Sequence, residues 1–160
     1  MSKRVQHDLT YDATASEVLA MLHDQAFRER VCDATGVLRH TVTVTPAGGA
    51  TEVLIDQVQT AEGLPGFAKK LVGDEIHIVQ KESWTSDTHA DVEVTIPGKP
   101  GQMTGTATLT ESGSTATEHV DLEIKVNIPL VGGKIEGLIA DMLLKALKTE
   151  NAVGREYLAG

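Results

Sequence analysis

The chain is poor in aromatic residues, in cysteine and in positive charge, and each shortage removes a class of explanation. One Trp, two Tyr and two Phe among 160 residues leave Val, Ile, Leu and Ala to build the core. Cys32 is the single cysteine, which excludes an internal disulfide and any multi-cysteine metal site. No run approaches the roughly 18 consecutive apolar residues of a membrane span. The N-terminal MSKRVQHDLTYDA has no apolar stretch of the export type, so a cytoplasmic location is expected. Lys and Arg number 14 against 23 Asp and Glu, a net charge of −9. Such a surface repels phosphate backbones, and no basic stripe with interleaved aromatics offsets it. Nucleic acid, a bare anionic membrane surface and stable membrane insertion are therefore not expected.

Catalytic signatures are equally scarce. The histidines show no HxxxH or HExxH spacing, so no metal site is expected. The serines lack a G-x-S-x-G elbow, so no catalytic residue is assigned, and no cofactor is expected. Gly132-Gly133-Lys134 precedes a helical pattern but lacks the GxxxxGK[ST] spacing of a phosphate loop. Pro129 stopping a strand and the glycines turning the chain into a helix account for it.

The periodicities that are present describe one domain over residues 1–160. Val5, His7, Leu9 and Tyr11 alternate with polar residues, a strand pattern. Thr14-Ala15-Ser16-Glu17 is a capping box opening a first short helix, and Asp24 can cap a second running to about Asp33. From residue 37 the period becomes two. TVTVTP, EVLIDQVQT, DEIHIVQKESW, HADVEVTIP, QMTGTATLT and TATEHVDLEIKVNIP are separated by turns or by the segment GLPGFAKKLVG. About seven antiparallel strands result, counting the first.

Residues 134–158 return to helical spacing, with Ile135, Leu138, Ile139, Met142, Leu143, Ala146 and Leu147 on one stripe. Such a helix is about 37 Å long and can cross a seven-stranded sheet about 30 Å wide. The fold class is α+β: a curved antiparallel sheet wrapped around a long C-terminal helix, with two short helices after the first strand.

This order resembles the START-like superfamily, the helix-grip proteins that include birch-pollen-allergen-like and polyketide cyclase-like domains. It is most similar to an uncharacterised bacterial family within it. The residues that carry the resemblance are YDATASEVLAMLHDQAFRERV, LPGF, Glu82-Ser83-Trp84, IPGKPG with Gly105, and IPLVGGKIEGLIADMLLKAL followed by EYL. The superfamily carries lipids, hormones and polyketides and includes both binders and enzymes, so the resemblance implies an internal ligand space rather than one chemistry.

Strand alternation supplies candidates for that space. Ile76, Ile78 and Trp84 point inward from one strand, Val92 and Val94 from the next. Met103, Leu122 and Ile124 follow, facing Ile139, Met142 and Leu143 of the helix. Phe67 and Leu71 either lid its mouth, with Lys69 and Lys70 meeting an anionic head group, or form a structural cap. Glu82 shares the face of Ile78 and Trp84. A carboxylate there is costly unless paired or protonated, and a raised pKa marks a working acid. Arg39 is placed to pair with it across the sheet, unless both sit at a wet rim or a bulge turns them outward. A dry void of about 500 Å³ would cost roughly 12 kcal/mol, the whole stability of a domain. The space is then packed, wet or occupied, and with so few aromatics to plug it a ligand-sized cavity is expected.

Three functions are compatible with these residues. The leading one is non-catalytic binding or carriage of a hydrophobic small molecule: a lipid, a fatty acid or a polyketide-like compound. The second is a cyclase or dehydratase with Glu82 or a histidine as general acid or base. The third is a protein-interaction module with a packed core, monomeric or dimeric through its sheet edges. Burial of Glu82 beside a second titratable group would favour the enzyme, and a continuous apolar tunnel the carrier. A filled core with an exposed apolar patch would favour the interaction module.

Overall fold

Alternation on one face and a single long apolar stripe leave few ways to bury both. In the computed structural model, which describes residues 2–160, the chain runs β1 (Lys3–Tyr11), α1 (Ala15–Leu22), α2 (Gln25–Thr35), β2 (Arg39–Ala47), β3 (Ala50–Thr60) and α3 (Gly66–Val72). It continues through β4 (Glu75–Trp84), β5 (His89–Thr95), β6 (Gln102–Ser112), β7 (Thr115–Lys125) and α4 (Gly132–Ala159). The strands form one antiparallel sheet in the order β1-β7-β6-β5-β4-β3-β2. Neighbours in sequence pair through β2 to β7, and β1 adds to β7, from Lys3 opposite Ile124 to Tyr11 opposite Ala116. Gly48 and Gly49 join β2 to β3 with φ of 56° and 86°, left-handed values that a two-residue hairpin demands at both positions.

The helix signals act as their chemistry requires. Thr14 accepts from the Glu17 amide while the Glu17 carboxylate accepts from the Thr14 amide. Asp24 caps α2 by accepting from the Ala26 amide. At 28 residues, α4 is about 42 Å long, two residues longer at its start than the apolar spacing predicts. Gly132 is buried in its first turn, where a Cβ would lie 2.6 Å from the Val126 carbonyl oxygen. The buried Glu136 side chain accepts from the Val126 amide at 2.8 Å, which pins the helix start to the end of β7.

Packing is uneven along α4. The helix lies against β1, β7, α1 and α2. Its C-terminal half enters the tightest part of the core, where Tyr11, Leu9, Val18, Met21, Leu22 and Phe27 are almost fully buried. There Tyr157 donates to Asp24 at 2.5 Å and its ring meets Phe27 edge-on. In the middle of the helix, Leu138, Ile139, Met142, Leu143, Ala146 and Leu147 are only half-buried. Among the described residues, the large apolar side chains left exposed are Leu38, Phe67, Leu71 and Leu130. They precede β2, lie between β3 and β4, and follow β7, which places all four at one end of the sheet. No described helix is long and apolar enough to cross a membrane.

Candidate functional site

Polar side chains on the inner face of the sheet need partners once helices close over them, and α2 supplies the central one. Arg28 is 1 % exposed. Its Nε donates to the Leu22 carbonyl at 2.8 Å. Nη2 donates to Glu82 Oε1 at 2.7 Å and Nη1 to Glu82 Oε2 at 3.1 Å. Nη1 also reaches Glu150 Oε1 of α4 at 3.2 Å. Alternation on β4 places Gln80, Glu82 and Trp84 on one face. Gln80 Nε2 and Trp84 Nε1 accordingly donate to the Glu82 carboxylate at 2.7 and 3.0 Å. Glu82 thus accepts four hydrogen bonds and is fully committed.

Two further glutamates face the same guanidinium. Glu150 lies three residues after Leu147 and three before Val153, within the inward stripe of α4. Glu118 of β7 is 2 % exposed, flanked across the sheet by Leu9 of β1 and Leu109 of β6. Its Oε1 is buried with no hydrogen-bond partner among the described residues, as is the Tyr11 hydroxyl.

Electrostatics sorts these groups. Burial pushes the Glu118 carboxyl well above the ordinary range, the charges of Glu150 and Glu82 add to the push, and Arg28 opposes it. Burial likewise raises Glu150 to about 7, with Arg28 holding it down and Glu82 pushing it up. The Tyr11 phenol rises through burial and the nearby Glu150 and Glu118 charges. Burial alone would lower Arg28, but Glu82, Glu150 and Glu118 more than offset it.

A stability profile follows. Glu150 is raised in the folded state, so its contribution is complete below the unfolded carboxyl pKa of about 4.3 and is lost as pH rises through about 7. Stability is expected to fall by roughly 3 kcal/mol between pH 5 and 8 from this group. Glu150→Gln should flatten that slope, because the amide oxygen still accepts from Arg28 without titrating. Urea denaturation across this pH range checks it, and an unchanged slope in the variant would place the titration elsewhere.

Beside the cluster lies a cavity of about 90 Å³. Ile55, Gln57, Gln59, Gln80, Glu82, Val92, Val94, Glu118, Val120 and Leu122 line it from the sheet. Arg28, Val31, Cys32 and Thr35 close it from α2, and Leu143, Ala146, Leu147 and Glu150 from α4. At about 30 Å³ per water it holds about three, against roughly 300–1,000 Å³ for a drug-sized pocket. The ligand-sized space expected from the scarcity of aromatics is therefore smaller in this conformation. The reason is α2, whose Arg28, Val31 and Cys32 occupy volume that strand and helix periodicity left open.

Of the residues read as cavity-lining, Glu82, Val92, Val94, Leu122 and Leu143 come together there. Met103 and Ile139 meet at a separate recess of about 10 Å³ with Ile96 and Val126. Ile76, Trp84 and Ile124 are buried in the core, while Ile78 and Met142 are half-buried away from the cavity wall. Phe67, Leu71, Lys69 and Lys70 are exposed on α3. The Arg39–Glu82 pair does not form. Arg39 bonds Glu75 at 2.7 Å on the outer surface, because it lies in register with His77 rather than Glu82 and has the opposite parity to the inward Val42. His77, His119, His89 and His40 pair with Asp56, Asp8, Asp91 and Asp33 at half-exposed positions. Burial pushes the Cys32 thiol up to about 11, as befits an inert core cysteine.

Arg28, Glu118 and Glu150 were missed as functional candidates. Each carried a signal: Glu118 stands two residues before Val120 on an inward face, and Glu150 interrupts an apolar stripe. Arg28 follows Phe27 on a short helix whose orientation no local pattern specifies.

Known proteins share this architecture. A START superfamily protein from Mycobacterium smegmatis superposes with a TM-score of 0.63 at 12 % identity, over 97 % of this chain and 98 % of that one. Norcoclaurine synthase from Thalictrum flavum superposes with a TM-score of 0.65 at 15 % identity, over 100 % and 88 %. The fold is thus the START-like helix grip. In sequence, an uncharacterized protein of Mycobacterium tuberculosis is 29 % identical over 108 residues, 64 % of this chain and 62 % of that protein. The match thus spans less than two thirds of the curated relatives' length. Residues 6–158 match the model of the family described as "Protein of unknown function (DUF2505)", and the chain belongs to that family.

Proposed function

We propose that this protein binds and carries a largely apolar small molecule, lipid- or polyketide-like, between α4 and the β3–β5 face of the sheet. The observation that carries this reading is the incomplete closure of α4. Its packing on the sheet falls on β1 and β7, and its central leucines stay half-buried beside a cavity walled by Ile55, Val92 and Val94. Apolar surface in that state gains free energy when a ligand covers it, at roughly 25 cal/mol per Å². Widening the space parts half-buried contacts rather than a closed core, so a ligand larger than the resting volume can enter by shifting α4. The exposed Leu38, Phe67, Leu71 and Leu130 give an apolar molecule its first contact at one end of the sheet.

Native mass spectrometry of the freshly purified protein, followed by solvent extraction, tests this reading. A stoichiometric apolar adduct is expected. Val94→Phe, which fills part of the cavity, should abolish the adduct while costing no more than roughly 1–3 kcal/mol of stability. An apo mass, with no thermal shift across a panel of lipids and polyketides, would sink the carrier reading.

A second reading has its own support. Glu118 and Glu150 are two carboxyls in one cavity wall, and both stay proton-bearing to unusually high pH. Groups so tuned can serve as general acid and base in a cyclase or dehydratase. Glu82, occupied by four donors, would then anchor Arg28 rather than transfer protons. Turnover of a polyketide-like substrate that disappears in Glu118→Gln and Glu150→Gln would establish this alternative.

A further inference from the structure

The cavity wall is strongly biased in charge. Glu82 and Glu150 bond one guanidinium and Glu118 lies within reach of its charge, and among the described residues lining the cavity Arg28 is the only cation. Four of its five N–H donors are taken by Leu22, Glu82 and Glu150. Glu118, 2 % exposed and lining the same space, keeps one oxygen sealed without a partner. Buried polar atoms without partners are rare and costly in folded proteins, and the side chain that carries this one is part of the cavity wall.

We propose that the cavity selects an aliphatic molecule with a cationic amine head, seated against Glu118 and Glu150, and discriminates against a carboxylate head. This deepens the binding reading above and rests on it. Charge balance supports one cation: with Glu118 protonated, Arg28 and one ammonium neutralise Glu82 and Glu150. An ammonium supplies the positive charge that Glu82 and Glu150 lack and donates to the Glu118 carbonyl oxygen, whereas a carboxylate adds a further negative charge beside them. The aliphatic wall of Ile55, Val92, Val94, Leu122 and Leu143 suits an unbranched alkyl body.

Amine affinity should depend on pH. The groups facing Glu150 are Tyr11 of β1, Arg28 and Cys32 of α2, Glu82 of β4 and Glu118 of β7, with His23 near Arg28 and Glu82. Burial keeps Tyr11 and Cys32 neutral and lowers His23. Glu150 is then the group that changes charge near pH 7, so amine binding tightens as pH rises from 6 to 8.

Calorimetric titration of the 160-residue chain with hexylamine, 1-hexanol and hexanoate tests the proposal. Hexylamine is expected to bind at least about tenfold tighter than hexanol at pH 8, with hexanoate weakest. That preference should shrink to about threefold or less at pH 6 and in Glu150→Gln, which removes the charge that titrates. Hexanol binding with no amine preference, or hexanoate binding as tightly as hexylamine, overturns the proposal and leaves the binding reading standing. Failure of all three ligands overturns the proposal, and the native mass measurement then decides the binding reading. The wild-type series decides the matter even if Glu150→Gln does not fold.

Discussion

Arg28→Met is expected to lower the melting temperature by roughly 10 °C or more at pH 7. The guanidinium is buried and serves Glu82 twice and Glu150 once. Removing it leaves carboxylates in an apolar interior without their counter-charge. Breaking a buried pair from one side typically costs about 3–5 kcal/mol, because the survivor keeps its desolvation penalty. In a chain of this size each kcal/mol corresponds to roughly 2–4 °C. The loss should be smaller at pH 5, where the orphaned carboxyls can take up protons, and Glu82→Gln in the same chain should recover part of it. Scanning calorimetry at the two pH values checks all three statements. An Arg28→Met protein as stable as wild type would mean that the cluster relaxes to water instead of staying buried.

The second large effect comes from a site with no side chain. At Gly105 a Cβ would overlap the Asp121 carbonyl of the neighbouring strand. Gly105 is held between Val92 of β5 and Leu122 of β7, so neither backbone can yield without breaking a ladder. Gly105→Ala is expected to cost at least the roughly 3 kcal/mol at the top of the overpacking range. Gly154→Ala should cost less. There the intruding methyl meets the Tyr11 ring and the Met21 methyl at 2.6 and 3.1 Å, side chains rather than a backbone carbonyl. Gly137 sits in α4 with nothing within 4 Å of an added Cβ, and Gly137→Ala should gain up to about 1 kcal/mol from helix propensity. Chemical denaturation of the three variants gives the ordering. A harmless Gly105→Ala would show that β6 and β7 separate more easily than their register implies.

Period-two alternation, the glycine turns and the Thr14 capping box determined the strands, their faces and the helix starts. These are local properties: side-chain direction in a strand and hydrogen bonding at a helix end depend on neighbours within a few residues. The inward aim of Glu82 was legible for the same reason, since it shares its parity with Ile78 and Trp84. Its partner was not. Arg39 was plausible by sheet position, but its register and outward parity gave it to Glu75 and left Glu82 to Arg28, a residue 54 positions away. Glu118 and Glu150 break apolar patterns and could have been marked as inward charges. Their convergence on one guanidinium depends on α2 and α4 crossing the sheet at a particular angle. Cavity size is decided at that same level. Scarce aromatics suggested open space, yet the volume left over is a difference between two large packed volumes. It therefore turns on where α2 places Arg28, Val31 and Cys32, a long-range arrangement that no periodicity along the chain encodes.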